Sequence, residues 1–337
     1  MELTTAWFVL IGALWLGYFF LEGFDFGVGA LLGVLGRDDT ERRVVINTIG
    51  PVWDGNEVWL LTAVGGMFAA FPDWYATLLS GFYLPVLLIV AALIVRVLAF
   101  EYRGKRDDPA WRRRWDRCLV FGSVTPAVLW GVILGNVVHG VALDARHEYA
   151  GSVIDLFNPY ALLGGVTTLL LFLLHGAVFL ALKTRGGIRR RARALAGRLG
   201  VAATAPAGAF LLWTQASRGS AVTGAFVALA GAGLVAALLA NRDGREGWAF
   251  VATGATIAAV VATLFTGLFP DVLPSTVDPA NSLTTGNAAA SPYTLTVLSW
   301  VAAIFAPFVV LYQGWTYWVF RRRIGVADIP SASPVQG

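Results

Sequence analysis

The sequence predicts an all-α fold, a single integral-membrane bundle over residues 1–337 with nine transmembrane helices, an external N-terminus and a cytoplasmic C-terminus. Three observations predict it. Charged residues make up 14% of the chain, against about 25% in soluble proteins. Hydrophobic residues reach 57%, with a mean hydropathy of +0.68. Nine stretches are each long enough to match the roughly 20 apolar residues that a membrane crossing requires. A soluble two-domain enzyme, a disordered chain and a nucleic-acid binder would all need more polar surface than these residues supply.

The spans are read at 7–35, 50–71, 77–100, 118–143, 160–182, 194–216, 221–240, 247–269 and 293–320. The first has no basic residue ahead of it and no small-residue cleavage site after it, so it reads as a retained span and not a signal peptide. The sixth is the weakest, because Gly, Ala and Thr dominate it. Polar connectors are expected at 36–49, 101–117, 144–159, 183–193, 241–246 and 270–292. Alternate connectors, taken with Arg198 and the Arg321–Arg323 run, hold 22 of the 25 Lys and Arg residues, leaving Arg146 and Arg218 on the opposite side and Arg96 inside a span. The positive-inside rule gives the predicted orientation and an odd number of crossings. Basic runs such as Arg112–Arg114 and Arg189–Arg191, with Trp111 and Trp115 beside them, read as anchors at anionic lipid and not as a nucleic-acid site. The connector 270–292 is long, free of Lys and Arg, and interrupted by Pro270, Pro274, Pro279 and Pro292. Such a loop is either a functional, mobile element or a plain connector.

Charges inside a span cost roughly 2.5–3.5 kcal/mol each, so they need a protein partner, water or a proton. Glu22 and Asp25 stand three residues apart in LEGFDFGVG, and Asp54 and Glu57 three apart in GPVWDGNEVWL. That spacing puts each pair on one helix face. Both faces are expected to look into the bundle or a subunit contact, with Asp54 buried. Clustered intramembrane carboxyls suit a proton path. Arg96 either holds such carboxylates ionised or snorkels to the nearby surface. For Glu22 and Glu57, near their helix ends, an interfacial position is the other reading. Gly23-x-x-x-Gly27 and Gly29-x-x-x-Gly33 predict close approach of a second backbone.

Histidine is the usual haem ligand, and the chain has only His139, His147 and His175, of which His139 with His175 is the conceivable pair. Cys118 is the single cysteine, which excludes an internal disulfide, a CxxC zinc site and a CxxCH haem attachment. No metal site is expected. HExxH, Walker and Ser/His/Asp patterns are missing, which argues against a protease, an ATPase or a hydrolase.

The segments GFDFGVG (23–29), RDDTERRVVINTIGPVWDGNEVWLLTAVGGMFAAFPDWYA (37–76) and LFPDVLPSTVDPANSLT (268–284) resemble subunit II of the bacterial cytochrome bd quinol oxidases. The likeness extends through SGFYLPVLLIV (80–90), WAFV (248–251) and LYQGWTYW (311–318), and is weaker over 183–240. The resemblance implies a cytoplasmic-membrane complex that oxidises quinol and reduces O2 to water. It implies that haems b558, b595 and d, and the quinol-oxidising loop, belong to a partner subunit I, with small accessory subunits, membrane lipid and a structural quinone as further companions. This chain would then stabilise subunit I and supply part of a proton route from the cytoplasm. Carried over by motif, Asp54 is the proton-conducting carboxyl, with Glu57 beside it where some relatives have Gln. Trp53 is the aromatic next to that acid. Asp25, Arg96 and Asp116 match positions tied to assembly or haem retention. A proton-coupled transporter is the competing reading, since paired intramembrane carboxyls would serve it equally.

Overall fold

The computed structural model describes residues 2–329. Among these residues twelve α-helices follow one another: α1 (Leu3–Ala30), α2 (Leu32–Leu35), α3 (Asp39–Ile49), α4 (Trp53–Ala70), α5 (Pro72–Gly81), α6 (Tyr83–Tyr102), α7 (Pro109–His139), α8 (Pro159–Lys183), α9 (Gly186–Arg218), α10 (Ala221–Arg242), α11 (Glu246–Leu268) and α12 (Pro292–Val319). A two-stranded antiparallel ribbon, β1 (Asp271–Leu273) and β2 (Leu283–Thr284), lies between the last two helices. Starts are written locally. Pro72, Pro109, Pro159 and Pro292 occupy first-turn positions, and the side chains of Asp108, Asn158 and Ser291 accept a free backbone N–H just ahead of three of them. Proline fits there because its missing donor has no partner in a first turn.

Among the described residues, eight helices are long and apolar enough to cross a membrane. The second expected span is not one of the eight. Its helix, α4, has 18 residues, and Asp54, Asn56 and Glu57 in its opening turns lower its hydropathy. Several limits also differ from expectation. The first span breaks at Leu31 between α1 and α2, and α5 stands as a separate helix before α6. The connectors 36–49, 101–117 and 183–193 are largely helical, because α3, α7 and α9 carry their arginines on helical turns. Arginine has good helix propensity, so a basic run need not interrupt a helix.

Helix α1 is the central element. Its pairings give the direction of its neighbours. Trp15 Nε1 donates to Met67 Sδ at 3.3 Å near one end of α4, while Asn56 meets Asp25 near the other, so α4 runs antiparallel to α1. Trp130 Nε1 donates to Tyr18 Oη at 3.1 Å, and Ser123 lies by Gly29, so α7 is antiparallel too. Helices α8 and α12 run parallel to α1: Phe172 stacks on Phe19, and Trp7 Nε1 donates to Ser299 Oγ at 3.0 Å. Gly27 explains how α8 comes so close. A Cβ there would sit 2.9 Å from Gly176 Cα, so backbone lies directly against backbone, as small residues permit in a bilayer. Trp15, Tyr18, Phe19, Trp130 and Phe172 pack on one another as an aromatic core between α1, α7 and α8.

The connectors sort to two ends. At one end Arg42 pairs with Asp116, Arg191 with Glu41, and Arg189, Arg193 and Arg323 with Glu246. These ties join α3, α7, α9, α11 and the segment after α12. The other end carries Arg146 and Arg218, the latter 3.5 Å from Asp271. There the segment 270–292 is built, not a bare connector. Besides β1–β2, Val141 N donates to the Pro274 carbonyl (3.0 Å), Thr276 N to that of Val141 (2.9 Å), and Asn281 Nδ2 to that of Leu143 (3.0 Å).

Candidate functional site: a buried carboxyl cluster around one arginine

Helices α1, α4, α6 and α12 converge on a polar cluster within the apolar bundle. From α1, Glu22 and Asp25 point inward, and both are fully buried. From α6, Arg96 is fully buried as well. Its Nη1 pairs with Glu22 Oε1 and lies 3.1 Å from Glu57 Oε1 on α4. The guanidinium is flanked by the rings of Phe26 and Phe100, 4.9 and 5.6 Å from their centroids. Snorkelling is therefore not what Arg96 does, and Glu22 is not interfacial. A guanidinium set between aromatic faces keeps its charge in an apolar place through cation–π attraction as well as ion pairing.

Asp25 is held separately. Asn56 Nδ2 donates to Asp25 Oδ2 at 2.6 Å. Gln313 Nε2 and Tyr317 Oη on α12 both donate to Asn56 Oδ1, at 2.9 and 2.7 Å. Glu22 Oε2, Asp25 Oδ1 and Arg96 Nε and Nη2 are buried and have no hydrogen-bond partner among the described residues. Two carboxyls, Glu22 and Glu57, thus share one guanidinium, Asp25 is held by an amide beside them, and Glu22 Oε2 and Asp25 Oδ1 are left without a hydrogen bond.

Asp54 departs from expectation. It does not share a buried face with Glu57: it is exposed on the outer side of α4 and makes no hydrogen bond or ion pair among the described residues. A spacing of three leaves about 60° between two side chains, and at the border of a buried face that suffices to separate them. Glu57 turns in toward Arg96 with its side chain 21% exposed. Trp53 is half-buried and stacks on Phe100, at 5.1 Å between ring centroids, so it touches the ring that flanks Arg96. Asp116 lies outside the cluster. It accepts from Arg103 Nε at 2.6 Å and from Arg42 Nη1 at 2.9 Å, at the arginine-rich end.

Asn56, Gln313 and Tyr317 were not among the residues singled out from the sequence. Their signal was present in WDGNEVW and LYQGWTYW, but uncharged amides and a tyrosine do not announce themselves in an apolar run as acids do.

His139 and His175 do not form a bis-His haem site. His175 is engaged at both ring nitrogens, by Thr253 Oγ1 (2.7 Å) and the Phe20 carbonyl (3.2 Å), and stacks on Phe250. His139 lies beside Tyr160 at the first turn of α8. His175 is fifteen residues further along that helix, about 22 Å by the helical rise, too far for two axial ligands of one iron. His147 Nδ1 meets the Asn281 carbonyl at 2.8 Å. No group of His, Cys, Asp and Glu suited to a metal ion occurs among the described residues.

A bundle of long apolar helices enclosing an arginine, three carboxyls and an amide–tyrosine bridge defines a polytopic membrane protein with an internal ionisable site. Residues 3–320 match the family described as cytochrome bd terminal oxidase subunit II. The chain is 43% identical over 324 residues to cytochrome bd ubiquinol oxidase subunit 2 of Bacillus subtilis (strain 168), covering 94% of this chain and 96% of that protein. It is 36% identical over 361 residues to cytochrome bd-I ubiquinol oxidase subunit 2 of Escherichia coli (strain K12), covering 96% and 95%. A solved chain from the bd oxidase of Geobacillus thermodenitrificans shares the fold, with a TM-score of 0.63, 10% identity, and coverage of 94% of this chain and 97% of that one. The chain belongs to the cytochrome bd terminal oxidase subunit II family. It is a multi-pass subunit of a quinol:O2 oxidoreductase complex in the bacterial cytoplasmic membrane, a haem enzyme with a partner subunit, and the transporter reading falls away.

Proposed function

We propose that this chain conducts protons from the cytoplasm toward the oxygen-reducing site of the complex and stabilises the subunit I that bears haems b558, b595 and d. The observation that carries this reading is Glu57. It stands one turn from exposed Asp54 and shares Arg96 with fully buried Glu22, which lies one turn from Asp25. A series of carboxyls that starts at a surface acid and continues into the bundle is what stepwise proton transfer needs. Asp54 is the entry group, and its exposed face on α4 is where the partner subunit completes the path. Asp25 and Arg96 serve assembly and haem retention through the buried cluster, Trp53 supports the ring beside Arg96, and Asp116 ties α7 to the cytoplasmic rim. Quinol, lipid and any small accessory subunits belong to the complex around this chain. Nine crossings with an external N-terminus are supported by α4 running antiparallel beside α1 and by the arginine-rich connectors meeting at one end.

Asp54→Asn and Glu57→Gln in the assembled complex test the path. Both are expected to slow quinol-driven O2 reduction by about 10²-fold, in the range of losing a proton-transfer group, with haem absorbance retained. Full turnover in both variants would overturn it.

A further inference from the structure

The Asn56 amide is fixed in one orientation by two donors from α12, and this has a consequence for Asp25. A carbonyl oxygen offers two lone pairs, and Asn56 Oδ1 spends both, on Gln313 Nε2 and Tyr317 Oη. Its NH2 must then face Asp25, where it donates to Oδ2. Gly55 permits this approach: a Cβ at that position would lie 3.3 Å from Gln313 Oε1. A protonated carboxyl oxygen is a poorer acceptor than an unprotonated one, so the Asn56 donor keeps Oδ2 free of the proton. The mirror arrangement holds at Glu22, where Arg96 occupies Oε1 and Oε2 is free. The two oxygens left without a hydrogen bond, Asp25 Oδ1 and Glu22 Oε2, belong to acids one turn apart on α1.

We propose that Asn56, pinned by Gln313 and Tyr317, is a positioning residue that confines the exchangeable proton of Asp25 to Oδ1, directing transfer between Asp25 and Glu22. The proposal rests on the proton-path reading and names the part of it that α12 controls. The titratable and charged groups around Asp25 are Glu22 on α1, Glu57 on α4, Arg96 on α6 and Tyr317 on α12. The other ionisable groups of the neighbouring helices are turned elsewhere: His175 of α8 to Thr253 and the Phe20 carbonyl, and Asp116 of α7 to Arg42 and Arg103. Helix α12 is otherwise almost uncovered by the rest of the chain, with Leu295 its one buried residue. Its grip on Asn56 is thus one of the few polar attachments it makes.

The test uses the whole complex with ¹³C-labelled aspartate and the variants Tyr317→Phe, Gln313→Leu and Asn56→Asp. Tyr317→Phe and Gln313→Leu each remove one pin. Each is expected to displace the pH profile of O2 reduction by about one unit and to move the infrared carboxyl band of the buried aspartate, with haem content unchanged. Asn56→Asp, which keeps the shape but replaces the amide donor with a fourth carboxyl, is expected to produce the larger displacement. Profiles and bands that superimpose on the parent in properly loaded Tyr317→Phe and Gln313→Leu complexes would overturn the proposal. If Asp54→Asn slows turnover while these bands stay fixed, the proton path stands and the positioning role of Asn56 falls. If Asp54→Asn and Glu57→Gln are both normal, the path itself falls, whatever the bands do.

Discussion

Replacing Arg96 by methionine tests whether the cluster is an energetic unit. The substitution keeps an unbranched apolar side chain of similar length and removes the one positive charge among Glu22, Asp25 and Glu57. Glu22, fully buried, would lose its one ion-pair partner among the described residues, and orphaning a buried ion costs about 3–5 kcal/mol. The Glu57 pair is 21% exposed on its acid side and adds no more than about 1 kcal/mol. Loss of the contacts with Phe26 and Phe100 adds about 1 kcal/mol more. The total, about 4–7 kcal/mol, is large against typical folding stabilities, so the variant should lose haem from the complex. The same reasoning predicts rescue. Glu22→Gln together with Arg96→Met removes the orphaned charge and should recover about 1–3 kcal/mol, in the range by which residues in contact couple. The assay is the rate of Soret-band loss from purified complex at fixed temperature, where each 1.4 kcal/mol is about tenfold. An Arg96→Met complex that holds its haem like the parent, or a double variant no better than the single one, would refute the reasoning.

Further outcomes follow from other contacts. Asp25→Leu removes the acceptor of the Asn56 amide and leaves that donor buried and unpaired, so haem should again be lost, and an intact absorbance spectrum would contradict this. Gly27→Ala places a methyl against backbone of α8, at 2.9 Å from Gly176 Cα. Overpacking costs about 1–3 kcal/mol, so a fall in the thermal midpoint of the complex is expected, whereas Gly33→Ala, with open space around it, should leave it unchanged. At the basic end, partial burial pushes the Glu41 carboxyl up, but hydrogen bonds from Arg191 and the Arg37 amide prevail and hold it below the usual value of 4.5. Its contribution is therefore full above about pH 4.5 and is lost as pH falls through the lower folded-state value. Glu41→Gln should flatten the acid limb of the stability profile by no more than about 1 kcal/mol, and an unchanged limb would remove the contact from the account.

Much of the fold was legible because bilayer physics leaves few alternatives. Apolar runs give the helices, and the arginine count sorts their ends as the ion pairs of Arg42, Arg191 and Arg189 do in three dimensions. Boundaries were less legible, since an arginine-rich stretch such as 109–117 continues a helix as readily as it makes a loop. The cluster was half legible. Glu22, Asp25, Glu57 and Arg96 stand out as charges in lipid-facing sequence, and they do meet. Which side of α4 carries Asp54 depends on a rotation of about 60°, which spacing alone does not resolve. Asn56, Gln313 and Tyr317 depend on α12 returning to α4 more than 250 positions later in the chain, a pairing that no local pattern encodes.

The central claim is that protons enter through Asp54 and pass along the carboxyls of α4 and α1. Its most direct measurement is proton uptake during a single reaction of the fully reduced complex with O2, followed with a pH indicator in parent and Asp54→Asn complexes of equal haem content. The account predicts uptake slowed by about 10²-fold in the variant, with electron transfer among the haems before the first protonation unaffected. Uptake at the parent rate would contradict it.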